Sequence, residues 1–476
     1  MSYFDRCLYI LVDGARPDVI QYLVNQGLLP TIETFFLKEK KVESATTCFP
    51  SSTGPAYIPF LTGCYASTAN VPGSRWIEKE HFPYDKKLSF KGSRSYVGYE
   101  ASRIDKDLNT EISTLFEVFE DSYSWASPIN RGVPTKRQIG GITDLLFVFA
   151  KISHYWEVID AVGFSKIKKL IKGDWEFAFF VFPAVDELSH NTSPFSKRTL
   201  SQYIRLDKYL KHIISDLKKT GKLESTAIII TSDHGLTKTT KHFDLSGFIA
   251  NIGERVFKYP ISFSKKKTCA VLETGNGMAH LYLSDNMDGK WSPNRLADSE
   301  MINRAIIPSL LRRQEVDHVL TTNESGEILV RNNKGTGYIR KDGSTIHYEV
   351  EGEDPLRYDF SSEKFTDYES LTQTYDGPYP DVLVQYSQIF DSKRTGDIIV
   401  TAKLGYDLRK RMEFPLHKAT HGNNLQGQIL VPLLTNIPIS EGKYRTIDVF
   451  PTIIDSVDSS RLKGLKYEGR SLVSRK

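Results

Sequence analysis

Cysteine is scarce in this chain. Its 476 residues include four, Cys7, Cys48, Cys64 and Cys269, none in CxxC spacing, and they read as free thiols of a reducing compartment rather than as a disulfide framework. Long apolar runs are missing too. Stretches such as Leu145 to Ala150 fall far short of the roughly 20 residues needed to cross a bilayer, so no transmembrane segment is expected. The opening Met1-Ser-Tyr-Phe-Asp-Arg6 lacks a basic region followed by an apolar one, and no secretory signal is expected from it. Charge of one sign is absent as well: a net +4 with scattered lysines such as Lys265-Lys266-Lys267 gives a solvated surface and no basic groove for nucleic acid. No internal repeat or low-complexity tail appears. A cytoplasmic location is the expectation.

The chain does have an ordinary globular composition, 40% hydrophobic and 25% charged, and enough length for two or three domains or one large α/β domain with insertions. Its most informative stretch is Thr226-Ala-Ile-Ile-Ile-Thr-Ser-Asp-His-Gly235. A β-branched apolar run that stops at Asp233-His234 reads as a buried parallel strand delivering a carboxylate and an imidazole to the carboxyl edge of a sheet, where α/β folds bind ligands. In the turn after the strand the two side chains can converge on a cation; a tight turn made by Asp-His-Gly is the competing reading.

The same grammar recurs. Cys7-Leu-Tyr-Ile-Leu-Val-Asp-Gly14 is a strand ending in Asp13, with a plain Asp-Gly turn as the alternative. Trp175 to Pro183 is a third core strand, followed by Asp186 and His190, which are four residues apart and so share one face of a helical turn. A surface Asp/His pair is the competing account. Leu206, Leu210, Ile213, Ile214 and Leu217 line one side of the helix leading into the Thr226 strand, with Gly221 as its stop. His421 stands in the polar loop Ala419-Thr-His-Gly-Asn423. Asp381 to Tyr386, Asp397 to Thr401 and Gln428 to Leu433 read as further core strands. His280 reads as a satisfied core residue, and His212, His242, His318, His347 and His417 as surface.

Thr53 lies in Pro50-Ser-Ser-Thr-Gly-Pro-Ala56, ahead of a short helix-like piece. A hydroxyl at a helix N-terminus suits a phosphate and an alkoxide, and helix capping by Ser51, Ser52 or Thr53 is the alternative. Arg75 follows soon after and could reach a phosphoryl oxygen, against the reading of an ordinary surface arginine. Residues 74–173 read as an inserted cap segment. Its amphipathic portion, Leu145 to Ile159, is expected to pack on the core, with peripheral membrane contact left open. Residues 245–368, with a helix over Asp298 to Arg313, read as a small α+β subdomain.

Together these candidates are three carboxylates, three imidazoles and one hydroxyl. Asp/His donors without thiolates favour zinc, with manganese as the alternative, and two such ions about 4 Å apart can clamp both oxygens of a phosphoryl displacement. In Val12-Asp13-Gly14, Pro50 to Thr53 with Leu61-Thr62-Gly63, Asp186 to His190, Ser232 to Gly235, Thr420-His421-Gly422, Ile447 to Thr452 and Gly469 to Leu472, the sequence resembles the alkaline phosphatase superfamily, and more closely its type I phosphodiesterase/nucleotide pyrophosphatase branch. It departs from that pattern where Gly54-Pro55-Ala56 replaces the common Phe-Pro-Asn, and around Asn70, which lacks the usual His-Gly.

The resemblance implies an alkaline phosphatase-like α/β/α sandwich with a mostly parallel central sheet, its core at 1–73, 174–244 and 369–476 and two inserted segments. It implies one metal held by Asp186, His190 and His421, and another by Asp13, Asp233, His234 and Thr53, with Thr53 as nucleophile and a phospho-threonine intermediate. The function expected is hydrolysis of a phosphodiester or pyrophosphate bond in a small molecule of nucleotide or lipid-headgroup type. A phosphomonoesterase, phosphonate hydrolase or phosphoryl-group transferase could use the same site. A non-catalytic binding protein on this fold would be marked by lost ligands, and none of the seven is lost.

Overall fold

Three adjacent parallel strands carry the architecture, and their composition explains why. The computed structural model describes residues 3–82, 92–138, 142–258, 266–296, 298, 305–360, 362–410, 413 and 415–475, the side chains of 99, 102, 142–145 and 362 excepted. Strands Arg6–Val12, Phe177–Phe182 and Thr226–Thr231 are buried almost throughout. Successive side chains alternate between faces, so each strand feeds two cores at once: Cys7, Tyr9 and Leu11 enter one, Leu8, Ile10 and Val12 the other. Only a sheet covered on both faces tolerates such unbroken apolar runs.

That sheet has seven strands in the order Tyr444–Arg445, Ser44–Thr46, Leu430–Thr435, Thr226–Thr231, Arg6–Val12, Phe177–Phe182 and Ser122–Trp125. Arg6–Val12 pairs in parallel with both neighbours, and Ser122–Trp125 extends the parallel edge, while Leu430–Thr435 runs antiparallel. The long helix Lys197–Lys219 buries Leu206, Leu210, Ile213 and Leu217 against one face. Its Ser196 hydroxyl caps the start by accepting from the Thr199 amide at 3.1 Å, and Gly221, at φ +70°, takes the left-handed turn beyond its end. Helix Val449–Asp458 packs on the opposite face. The α/β/α sandwich is therefore as expected.

Other expectations are corrected. Asp381 to Tyr386 is not a strand: Val382–Ile389 is a helix buried all round, and a short apolar run carries no period that separates the two states. Strand Ile398–Ala402 exists, but in a second, nine-stranded sheet between Met278–Leu283 and Val316–Thr322, so the block at 245–368 completes its sheet with a strand from beyond it. The segment at 74–173 likewise contributes Ser122–Trp125 to the central sheet. Within Gln428 to Leu433 the strand begins only at Leu430, after a helical turn. Of the helix expected over Asp298 to Arg313, residues 299–304 lie outside the described residues and Ile306–Leu311 is helical.

Helix Glu157–Leu170 packs on the sheet and carries Asp160 into the interior, where its Oδ1 accepts from the Ala184 amide at 3.4 Å. Burial pushes its carboxyl up to about 8. The folded state thus holds a proton that the unfolded chain releases near pH 4, and stability falls as pH rises between those values. Asp160→Asn should remove that slope. The full shift is worth about 5 kcal/mol, and relaxation around an ionised carboxylate reduces the expected gain to roughly 1–3 kcal/mol at pH 8, read from thermal melts at pH 5 and 8.

Candidate metal centre

The carboxyl ends of the three adjacent strands bring acidic groups to one edge of the sheet. Asp13 follows its strand directly, its amide donating to the Phe182 carbonyl at 3.0 Å. Asp233 and His234 follow the next, and Asp186 lies on helix Ala184–Asn191 after the third. Ser232 ties two of these ends together: its hydroxyl donates to the His234 carbonyl at 2.7 Å and accepts from the Ala15 amide at 3.0 Å. Gly14, at φ +74°, lets the Asp186 helix approach, since a Cβ there would stand 2.8 Å from the Asp186 Cα. His421 arrives from the far end of the chain. The Gly275-Asn276-Gly277 turn grips its backbone, and a Cβ on Gly275 would sit 2.6 Å from its Nδ1.

All seven expected residues converge. Asp186, His190 and His421 form one cluster and Asp13, Asp233 and His234 a second, with the candidate ligand atoms within each less than 4.8 Å apart. His190 Nε2 is 3.4 Å from Asp186 Oδ1, and His234 Nε2 is 3.3 Å from Asp233 Oδ2 and 3.6 Å from Asp13 Oδ1. The His234 and His421 rings stack at 3.7 Å between centroids, joining the two clusters. Thr53 Oγ1 lies 3.3 Å from Asp233 Oδ2 and 3.2 Å from His234 Nε2.

The donor set fits divalent cations. Each imidazole places Nδ1 against a backbone carbonyl, His190 on Ala419 at 2.8 Å, His421 on Ser51 at 3.0 Å and His234 on Gly235 at 3.2 Å. A carbonyl only accepts, so the proton sits on Nδ1 and every Nε2 keeps its lone pair for an ion. Asp13 Oδ1 and Asp186 Oδ1 are buried without a hydrogen-bond partner, as ligand atoms awaiting a cation would be. Helix capping does not account for the serines and threonine, because the turn starting at Pro55 has Gly54 as its N-cap and no side-chain cap. Ser51 instead donates its hydroxyl to the Asn423 carbonyl at 2.6 Å, clasping the His421 loop.

Charge repulsion dominates the electrostatics. Burial, then Asp233 and Asp186, hold the Asp13 carboxyl well above the usual carboxylate range, and burial pushes Asp186 up to about 7. Burial, then His234 and His190, hold His421 well below the usual imidazole range, and burial lowers His190 against the opposing charge of Glu187. His190 and His421 are therefore held as neutral ligands, and protons that a cation must displace sit on Asp13 and Asp186. Metal binding releases those protons, so apparent affinity should rise with pH up to about 7 as Asp186 gives up its own, by about tenfold per unit for each proton displaced. Competition titration against a chromophoric chelator between pH 5 and 8 reads this slope; a flat profile would contradict it.

Several residues escaped sequence reading. Tyr57 donates its hydroxyl to Asp13 Oδ2 at 3.3 Å, behind the ligand face, and only packing reveals this. Arg75 is not at the surface: it is buried, and its Nη1 donates to the Glu273 carbonyl on the second sheet at 3.2 Å. His318, expected at the surface, is fully buried between the Tyr386 hydroxyl and the Pro355 carbonyl. His417, likewise expected outside, packs its ring 4.1 Å from that of His190. His280 is the satisfied core residue expected, with Nε2 on the Pro72 carbonyl.

The family model of type I phosphodiesterase / nucleotide pyrophosphatase matches residues 7–424. The chain belongs to this family. All seven clustered residues fall within the part that this phosphodiesterase model covers. Among related proteins, the bis(5'-adenosyl)-triphosphatase ENPP4 of Bos taurus is 22% identical over 251 residues, 50% of this chain and 48% of that protein, and the Homo sapiens counterpart matches equally. The match thus spans about half the length of these relatives. Murine ectonucleotide pyrophosphatase / phosphodiesterase 5 has the same fold, with a TM-score of 0.57 at 13% identity over 98% of this chain and 97% of that one. An inactive form of that murine protein, in complex with AMP, superposes equally well.

Proposed function

We propose that this phosphodiesterase-family chain hydrolyses phosphodiester or pyrophosphate bonds of a small nucleotide-type molecule, with Thr53 as nucleophile. One observation carries the reading: the Thr53 hydroxyl stands at the second cluster, 3.3 Å from Asp233 Oδ2 and 3.2 Å from His234 Nε2, while the stacked His234 and His421 rings link that cluster to the first. Asp186, His190 and His421 would hold one divalent ion, and Asp13, Asp233, His234 and the Thr53 hydroxyl another. Asp/His ligands without sulfur favour zinc, with manganese next. Bound there, the ions neutralise charge on the phosphoryl oxygens and favour the ionised hydroxyl.

The chain's own groups do the rest. The Thr53 proton faces Asp233 Oδ2, a buried acceptor. The Thr53 Oγ1–phosphorus bond forms as the bond to the leaving oxygen breaks, and water then cleaves the phospho-threonine. His190, His234 and His421, pinned through Nδ1, keep the donor atoms in place. The strongest charges acting on Asp13 are acidic: Asp233, Asp186 and Glu187. A monoester would bring an extra phosphoryl charge that calls for added cationic side chains, and the phosphodiesterase family match supports the diester reading over the monoesterase one. The AMP held by the murine relative supports a nucleotide-type substrate. A reducing, cytoplasmic setting belongs to the same reading, supported by four buried cysteines.

The test is a metal-reconstituted assay of bis(nitrophenyl) phosphate against nitrophenyl phosphate, with a dinucleoside polyphosphate as third substrate. We expect kcat/KM at least about tenfold higher for the diester, with a nucleoside monophosphate released from the third substrate. Preference for the monoester would overturn the assignment.

A further inference from the structure

A third group of metal-type ligands lies apart from the two clusters. Candidate ligand atoms of His242, Asp407 and Glu413 are within 4.8 Å of one another. His242 lies on the short strand Lys241–His242, which pairs in parallel with Tyr406–Asp407. Asp407 is fully buried: its Oδ2 faces His242 Nδ1 at 2.7 Å, and its Oδ1 is buried with no hydrogen-bond partner. Glu413 bonds Asn276 through Oε1, while its Oε2 is likewise buried and unpartnered. Two carboxylates therefore each leave one oxygen unsatisfied beside an imidazole. A buried acceptor left so costs about 1–3 kcal/mol, more when charged. Arg409 lends both carboxylates positive charge, yet burial and Glu413 still push the Asp407 carboxyl up to about 8.

We propose that His242, Asp407 and Glu413 hold a third divalent transition ion, distinct from the pair beside Thr53. One imidazole with two carboxylates suits Zn²⁺ or Mn²⁺, whereas Ca²⁺ and Mg²⁺ prefer all-oxygen shells. Ligands on one ion, each bonded at about 2.1 Å, sit roughly 3 Å apart, close to the His242–Asp407 separation. The position gives the ion a bracing role. Lys241–His242 follows Asp233 and His234 in the chain, and Tyr406–Asp407 precedes His421; a second short ribbon, Thr237–Lys238 with Ala419–Thr420, joins the same two segments. The ion would pin the loop that presents His421 to the loop that presents His234. His417 completes the link, its Nδ1 3.4 Å from Glu413 Oε1 and its ring against His190.

The full chain, stripped with chelator and dialysed against Zn²⁺ or Mn²⁺, is assayed for bound metal by elemental analysis. Wild type should hold three equivalents, Asp407→Asn/Glu413→Gln two, and the double variant should also bind the remaining ions more weakly. Asp233→Asn should lose a different equivalent and keep the one at His242. Should the double variant fail to fold, His242→Gln, at a partly exposed position, carries the same expectation of one equivalent lost. Equal metal content in wild type, the double variant and His242→Gln overturns the third site and leaves the paired one standing. Unchanged content in Asp233→Asn would instead overturn the reading of the paired site.

Discussion

Thr53→Ala should abolish hydrolysis of phosphodiesters while leaving the metal clusters in place. The Thr53 hydroxyl meets the ligand atoms themselves, Asp233 Oδ2 at 3.3 Å and His234 Nε2 at 3.2 Å. If it is the nucleophile, its loss removes the covalent step altogether, and nucleophile deletions of this kind lower kcat by on the order of 10⁴- to 10⁶-fold, or about 5–8 kcal/mol of barrier. Asp13, Asp233 and His234 remain to hold the ion, so metal content should fall little. Thr53→Ser, which restores a hydroxyl, should recover most of the rate. The measurement is kcat on bis(nitrophenyl) phosphate alongside bound metal. An alanine variant within about tenfold of wild type would remove Thr53 from its role.

Asp233→Asn should act in two opposite directions. Asp233 is fully buried, accepts from Thr53, and stands beside His234 and Asp13. Removing its charge should weaken ion binding at that cluster by more than 100-fold, since even residues supporting a ligand cost 10- to 100-fold. Activity should then fall by on the order of 10³-fold, because the nucleophile loses its activating charge. Stability of the metal-free protein should rise, because one of the carboxylates that hold the Asp13 carboxyl high is gone. In wild type, an ion at 100 times its Kd adds about 2.7 kcal/mol of stability. The variant should start from a higher melting temperature and gain less on adding metal. Equal metal-induced shifts in the two proteins would show that Asp233 is not a ligand.

The legible parts of the site were those in which local text and chemistry coincide. Asp13, Asp186, Asp233 and His234 each follow an apolar strand directly or within one helical turn, and parallel strands necessarily deliver such residues to one edge. His421 gave only a polar glycine-containing loop, and its place beside His234 depends on the Gly275-Asn276-Gly277 turn far away in the chain. The roles of Tyr57 and of the Ser51 and Ala419 carbonyls had no signal, because holding a ligand by hydrogen bond imposes no residue pattern. His242 and His417 read as surface for the same reason: a histidine's sequence neighbours say nothing about which carboxylates the fold will set against it. The Val382–Ile389 helix was misread because burial on every side erases amphipathic period.

The sequence alone determined the three core strands, the long helix between two of them and the strand-end residues Asp13, Asp186, Asp233 and His234, because apolar periodicity and strand-end chemistry are local properties of the chain. Tertiary structure alone decided the membership of Ser122–Trp125 and Ile398–Ala402 in their two sheets, the burial of Arg75 against Glu273, and the His242–Asp407–Glu413 group. These depend on pairings between segments more than 50 residues apart, and strand partners and buried charge partners are selected by packing and desolvation in the folded molecule, which no short window of sequence encodes.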